Sequence, residues 1–444
     1  MNHLHLAHPH ADVPATTPLA AGAVRMLDGS AVLPLHDAEQ LTGVTVHDLA
    51  AHRALFGPRR SYLGHAADTL LADMDAVELS GRGGGHFPTA AKWRSVARAG
   101  AGGTVVANAA EGEPAIAKDA VLLLTRPHLV LDGLAAAVEV LGAREGVVWL
   151  HDGAWASARS VTRALEERRH SGELDPPIRI MLAPARYLSG EATGIIRTLE
   201  GGPTLPRWVA DPARPWSAGE RPVLVNNAET LARAALLGHV GAAAYAPTSL
   251  LTVVSDTYRV VVEAGPDETF GQVLARSWRS PDGQAPVAAL LGGYGGSWVR
   301  WEHLAPLPVS NPALKPFGLS VGAGLLGPLP QRVCGLEESG RILRYLAGQS
   351  AKQCGPCVFG LPAVADLVDR LVEGRLGRRD KHTLDTYVRE ISGRGACRHP
   401  DGALRMLSTA LTVFGDDVAR HKHGRSCDAP LHSVLPIPAD PEEA

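Results

Sequence analysis

Gly81-Arg82-Gly83-Gly84-Gly85-His86-Phe87-Pro88-Thr89-Ala90-Ala91-Lys92-Trp93 opens with four glycines in its first five residues. Backbone without Cβ enters positive-φ conformations and can lie directly against a flat or anionic ligand. Arg82 and Lys92 bracket the run, a bidentate guanidinium and a point charge, so a cradle and counter-charge for a phosphate-bearing cofactor stand together. It is neither a P-loop, which ends Gly-Lys-Ser/Thr, nor a clean G-x-G-x-x-G turn fed by a Val/Ile-rich strand. A mobile surface loop is the competing reading of a glycine run.

Downstream, the hydrophobic pattern alternates strand and helix. Gly103 to Ala107 reads as a short strand that delivers Asn108-Ala109-Ala110-Glu111-Gly112-Glu113-Pro114 to its C-terminal edge, where ligands bind in open α/β sheets. A helix is expected over 128–142, a strand over 146–150, a helix over 155–168 and a strand over 178–182. The fold class is therefore α/β with a largely parallel sheet. Tyr187-Leu188-Ser189-Gly190-Glu191 follows as a turn. A proline-rich connection over 201–222 is expected to wrap the core, because Trp208 and Trp216 within it call for burial, and Val223 to Asn227 reads as a strand bringing Asn226 and Asn227 to the same edge.

The chain divides by texture into a disordered leader over 1–30, an α/β domain with a helical lead-in over 31–248, a small α+β module over 249–316, a helical domain over 317–420 and a flexible tail over 421–444. The 444 residues are 45% apolar with net charge -3, which gives no field for nucleic acid, and no apolar run is long enough to insert directly in a membrane. Only five cysteines occur, four of them after residue 350, which argues for a local site in a reducing, cytoplasmic setting rather than a disulfide scaffold. Cys354-Gly355-Pro356-Cys357 and Cys397 offer three thiolates to one iron-sulfur or zinc centre, with Cys427, Cys334 or His399 as candidates for a fourth ligand. Unligated core cysteines are the alternative. His382, His399, His421 and His423 read as solvated surface.

Five motifs in this order, the glycine loop, Asn-x-x-Glu-Gly-Glu-Pro, Tyr-x-x-Gly-Glu, Asn-Asn-x-Glu-Thr and the late cysteines, resemble the NADH-oxidising flavoprotein subunit of respiratory complex I and of related NAD-linked hydrogenases and formate dehydrogenases, over about residues 60 to 420. The resemblance implies a Rossmann-like FMN-binding domain, a ubiquitin-like β-grasp (SLBB-type) module and a C-terminal helical bundle. It implies FMN, NAD(H) and a [4Fe-4S] cluster as cofactors, in a multi-subunit complex with redox partners that are ferredoxin-like or membrane-bound reductase subunits. By the same resemblance Gly81, Arg82, Gly83, Gly84 and Lys92 bind the FMN ring and phosphate, and Phe87 helps hold the dinucleotide. Asn108, Glu111, Gly112, Glu113, Tyr187, Gly190, Glu191, Asn226 and Asn227 line the flavin and nicotinamide pocket. Glu113 and Glu191 are its candidate catalytic residues, and Cys354, Cys357, Cys397 and Cys427 its candidate cluster ligands.

Departures from the family pattern are specific. Ala351 occupies the first cysteine position, Ala110 and Ala192 replace carboxylates, His86 replaces a glycine and Ser95 an aromatic. A ribose hydroxyl that loses a buried partner costs about 1 to 3 kcal/mol, so two losses weaken NADH by roughly a hundredfold. A binding or assembly homologue that kept the fold with its NADH site degraded is the alternative function.

Overall fold

The computed structural model describes residues 24–35, 41–210, 215–422 and 433–438. The strands, in chain order, are β1 (Ala31–Pro34), β2 (Thr104–Asn108), β3 (Glu145–His151), β4 (Ile178–Ala183), β5 (Ser217–Ala218), β6 (Arg221–Asn227), β7 (Ser249–Val254), β8 (Tyr258–Ala264), β9 (Ala288–Leu291), β10 (Ser297–Arg300) and β11 (Leu325–Leu329).

One sheet has the order β4-β3-β2-β6-β5, with β4, β3, β2 and β6 parallel. The Val-rich cores of β2, β3 and β6 are buried, as a parallel sheet covered on both faces requires. From β2 the chain winds outward through β3 and β4, then returns to β6 on the other flank. The order thus reverses between β2 and β6, and the crevice at such a switch point is where open α/β sheets bind ligands. Asn108 and Asn227 end these two strands in register with one another.

The helix Pro127–Leu141 begins with proline, which its first turn tolerates, and ends on Gly142 at φ 58. Gly133 within it lets the helix Ala228–Val240 approach closely, since a Cβ there would lie 2.0 Å from the Leu231 carbonyl oxygen. Among the described residues no single helix is long and apolar enough to cross a membrane.

The second sheet runs β1-β8-β7-β11-β9-β10, with β7 and β11 parallel and the other neighbours antiparallel. It draws β1 from the segment expected to lead into the first domain and β11 from beyond residue 316. Textural boundaries miss such strands because pairing, not composition, assigns them. The helical end comprises Gly335–Gly348, Leu361–Val372, Arg378–Ile391, His399–Val413 and Gly415–Lys422.

Several expectations are overturned. The end of the leader is ordered: Met26 and Leu27 are buried and the Leu27 N–H donates to Glu263. The tail returns to the core, with the Val434 and Leu435 N–H groups donating to Glu338 and the Tyr294 hydroxyl donating to the Pro436 carbonyl. His399 and His421 are buried rather than solvated, because Leu346 and Val372 carbonyls bond their rings. Trp208 is 69% exposed, so the proline-rich connection does not bury it. Cys427 and His423 lie outside the described residues.

Candidate functional site: a glycine cradle beside a thiol triad

The glycine loop is pinned at its ends and open at its tip. The Gly81 N–H donates to the Phe87 carbonyl, the Arg82 N–H donates to Thr230, and the Arg82 guanidinium donates to Ser249. Arg82 thus anchors the loop inward. Gly84 sits at φ 94, and a Cβ at Gly85 would meet nothing within 4 Å. His86 takes a positive φ of 46, the conformation that glycine adopts without cost, and its Nδ1 accepts from Asn311. Phe87 is 57% exposed beside the cradle.

Thr89–Ala99 forms the helix that leaves the loop, and its first turn carries Lys92. The ammonium donates to the Val225 carbonyl and lies 5.5 Å from the centre of the Trp216 ring. No carboxylate pairs with it among the described residues, and desolvation brings it down to about 8. A poorly solvated cation with a carbonyl and a π face but no anion fits a phosphate.

The acidic run divides its labour. Glu111 accepts from the Asp119 and Ala120 N–H groups, capping the helix Lys118–Thr125. Its carboxyl is raised by desolvation. Glu113 accepts from the Tyr187 hydroxyl at 2.7 Å and the Tyr294 N–H at 2.8 Å, and burial pushes it up to about 7. Asn108 donates to the Gly190 carbonyl, and a Cβ on Gly112 would lie 1.9 Å from the Tyr187 carbonyl oxygen, so the second and third motifs are pressed together. Asn226 accepts from the Trp93 indole, while Asn227 caps the helix Ala228–Val240 and donates to Asp119. Both amides therefore bond protein groups: the Trp93 indole for Asn226, a helix end and Asp119 for Asn227.

Lys118 was not singled out from sequence. It is buried between Asp119 at 2.9 Å and Glu229 at 3.1 Å, with Asn227 at 3.3 Å, and these carboxylates hold its ammonium above the usual range despite burial. The only sequence signal was its place four residues beyond the acidic run.

Glu191 accepts from Thr193 and from the Gly194 N–H, capping Ala192–Leu199, and desolvation raises its carboxyl. Beyond it lies a cleft of about 420 Å³ lined by Thr193, Ile196, Arg207, Trp208 and Trp216. Glu191 is also within the field of Cys397, whose thiol is pushed up to about 11 by burial, by Glu191 and by Cys354. The Cys357 thiol is hydrogen-bonded to Cys354 and feels Cys397, which with desolvation raises it to about 12. Cys397 thus lies within electrostatic reach of the Cys354–Cys357 pair. Backbone N–H groups of Ala351 and His399 face Cys357 and Cys397 respectively, as they would a cluster-bound thiolate. Three thiols of this kind would suit an iron-sulfur cluster, to which Cys354, Cys357 and Cys397 would be the ligands. Cys334 instead faces His421 at 3.5 Å, and the His399 ring is bonded to Leu346.

The Nuo51 FMN-binding domain matches residues 74–235, and the NADH-ubiquinone oxidoreductase-F iron-sulfur binding region matches residues 338–421. The second F-type subunit of the NADH-quinone oxidoreductase of Rhizobium meliloti (strain 1021) is 27% identical over 87% of this chain and 96% of its own length. The NADP-reducing hydrogenase subunit HndC of Solidesulfovibrio fructosivorans is 24% identical over 85% and 82%. Among solved structures, NAD+-reducing [NiFe]-hydrogenase shares the fold. In the air-oxidized state it has a TM-score of 0.74 at 22% identity, over 90% of this chain and 71% of that one. In the H2-reduced state it has 0.71 at 23%, over 80% of this chain and 63% of that one. The two domain matches together take in more than half of the residues, in the order in which the cradle and the thiol triad occur, and the chain belongs to the family of F-type flavoprotein subunits of NADH-quinone oxidoreductases and related hydrogenases.

Proposed function

We propose that this chain is the electron-transfer flavoprotein subunit of a multi-subunit oxidoreductase, with FMN in the glycine cradle and an iron-sulfur cluster on Cys354, Cys357 and Cys397. One observation carries the reading: the segment 187–191 walls both sites. The Tyr187 hydroxyl reaches Glu113 in the pocket, its N–H donates to Gln349 just beyond the helix that leads to Cys354, and Glu191 lies in the field of Cys397. Flavin accepts a two-electron hydride and releases single electrons, which is the chemistry a neighbouring cluster needs.

The chain's own residues do the rest. Lys92 neutralises the phosphate, and glycines 81, 83 and 84 keep the cradle free of side chains. Glu113, near neutrality in its proton affinity, holds or passes a proton through the Tyr187 hydroxyl. Exposed Phe87 and Trp208 offer stacking faces to a dinucleotide donor, and Glu191 is the carboxylate available to a donor ribose. Ala110 and Ala192 remove two further acceptors, so NADH binds weakly.

The test is anaerobic absorbance with iron and sulfide analysis of purified protein, before and after NADH and then dithionite. Flavin bands bleached by NADH, with cluster iron present, support the reading. Bound flavin reduced only by dithionite assigns a different donor. Absence of both flavin and iron after reconstitution overturns it in favour of an assembly homologue.

A further inference from the structure

The glycine loop is bonded at both ends, and one side chain bonds its tip. Gly81 and Arg82 fix the start and the Thr89 N–H donates to the Leu79 carbonyl at the exit, but residues 83–86 make no backbone hydrogen bond among the described residues. What reaches across is the His86 ring, whose Nδ1 stands 2.9 Å from the Asn311 amide nitrogen. To place that ring His86 takes φ 46, which glycine would adopt without strain.

The far side of Asn311 decides where the imidazole proton sits. Its Oδ1 accepts from the Val321 N–H at 2.9 Å, so the amide is oriented and its nitrogen faces His86 as a donor. Nδ1 therefore carries a lone pair and Nε2 the proton. Nε2 is buried without a hydrogen-bond partner, and the Gly81 backbone is the polar group of the loop that acts on the ring. A second proton would aim Nδ1–H at an NH2 group. Asn311 cannot answer by turning its amide, because that would set the NH2 group against the Val321 N–H. The anchor is stiff: Val321 is buried, its carbonyl accepts from the Gly324 N–H, and the Ala323 N–H donates to the Gly292 carbonyl. The Ala323 nitrogen is also 3.9 Å from where a Cβ on Gly84 would lie, so the tip rests against this segment.

We propose that His86 is a positioning residue whose neutral ring pins the tip of the glycine loop to Asn311 and whose protonation releases it. Its bearing on flavin rests on the assignment of FMN to the cradle. The surroundings set the sense of the switch. Burial first, then Arg82 of the loop and Lys118 of the helix Lys118–Thr125, oppose protonation, whereas the Gly81 backbone and Glu229 of the helix Ala228–Val240 favour it. The balance lies below the ordinary 6.5, so the latch is complete above pH 6.5 and is lost as pH falls through the lowered value. Phe87 follows directly and shares the loop's freedom when the latch opens. A cradle ordered in advance binds its ligand more tightly than one ordered on binding.

The test is the FMN dissociation constant of the flavin-free full chain, from quenching of flavin fluorescence, between about pH 5 and about pH 8. Comparing variants cancels the titrations they share, those of the FMN phosphate and of Glu113. Wild type should bind roughly tenfold more tightly than His86→Gly at the alkaline end, the worth of one hydrogen bond, and about equally at the acid end. Asn311→Asp separates a latch from a merely structural role. A carboxylate accepts both the Val321 N–H and a protonated ring, so affinity in this variant should hold or rise toward acid where that of wild type falls. Parallel profiles for wild type and His86→Gly, or a wild-type profile for Asn311→Asp, overturn the latch. If wild type binds no FMN at any pH, the flavin assignment falls instead, and melting of the flavin-free chain over the same range reads the latch. Wild type should then lose stability relative to Asn311→Asp below pH 6.5, and equal slopes overturn the proposal.

Discussion

At the scale of single residues, Lys92 and Glu113 carry charge in places that disfavour it, each in a way an experiment can separate. Replacing Lys92 with Met removes a cation that has no anionic partner among the described residues and supplies a side chain of similar length. FMN affinity should fall roughly 10- to 100-fold, the cost of one charge-assisted contact. The flavin-free protein should become more stable, because the desolvated charge is gone. Lys92 is depressed from 10.5 to about 8 on folding, so the stability it contributes is present above pH 10.5 and lost as pH falls through 8. The advantage of Met should therefore be complete below pH 8 and shrink toward pH 10.5 in thermal melts. Glu113 has the other sign. Its carboxyl rises from 4.5 to about 7, so its contribution is full below pH 4.5 and lost as pH rises through 7. Relative to Glu113→Gln, the wild-type chain should lose stability across that window and nowhere else, as pH-dependent denaturant midpoints would register.

At the scale of elements, close approach of backbones assembles the pocket. A methyl at Gly112 would lie 1.9 Å from the Tyr187 carbonyl oxygen, and backbone cannot yield as a side-chain tip can. Gly112→Ala should cost about 1–3 kcal/mol of stability and loosen Tyr187 from Glu113, slowing flavin reduction. Gly85→Ala is the contrast, with open space around it: melting should stay within about 0.5 kcal/mol of wild type, while FMN binding weakens where the methyl intrudes on the cradle. Equal losses of stability in both would refute this division. The strands and helices of the parallel sheet were legible in sequence because apolar periodicity and glycine or proline ends mark them locally. The order of the motifs was legible too. What Glu111, Asn226 and Asn227 do was not, since a residue type names the bonds a side chain can make and only the fold decides whether it spends them on a helix end or a ligand. Trp208 misled for a related reason: a large aromatic calls for burial unless the chain turns it into a cleft. The returning segment at Val434 and Leu435 was hidden by its polar, proline-rich surroundings.

At the scale of the molecule, the cradle and the thiol triad belong to different parts of the fold and meet through one wall, so each should be adjustable without disturbing the other. Ala351 is the natural lever. It stands three residues before Cys354, its backbone already faces Cys357, and a thiol there would give the triad a fourth cysteine. Ala351→Cys should raise iron and sulfide per chain after anaerobic reconstitution and slow their loss in air, because a fourth thiolate would protect an iron that three cysteines would leave to solvent or another donor. The paramagnetic signal of the reduced cluster should sharpen toward that of a four-cysteine centre. FMN affinity should stay unchanged, since Lys92 and the glycine loop lie across the 187–191 wall. If FMN binding rises with iron content, the two sites are energetically coupled through that wall, and Gln349 and Glu191 are the residues through which the coupling would run. If neither iron content nor cluster lifetime responds, the missing thiolate is already supplied by another donor, and the three-cysteine account of the cluster falls.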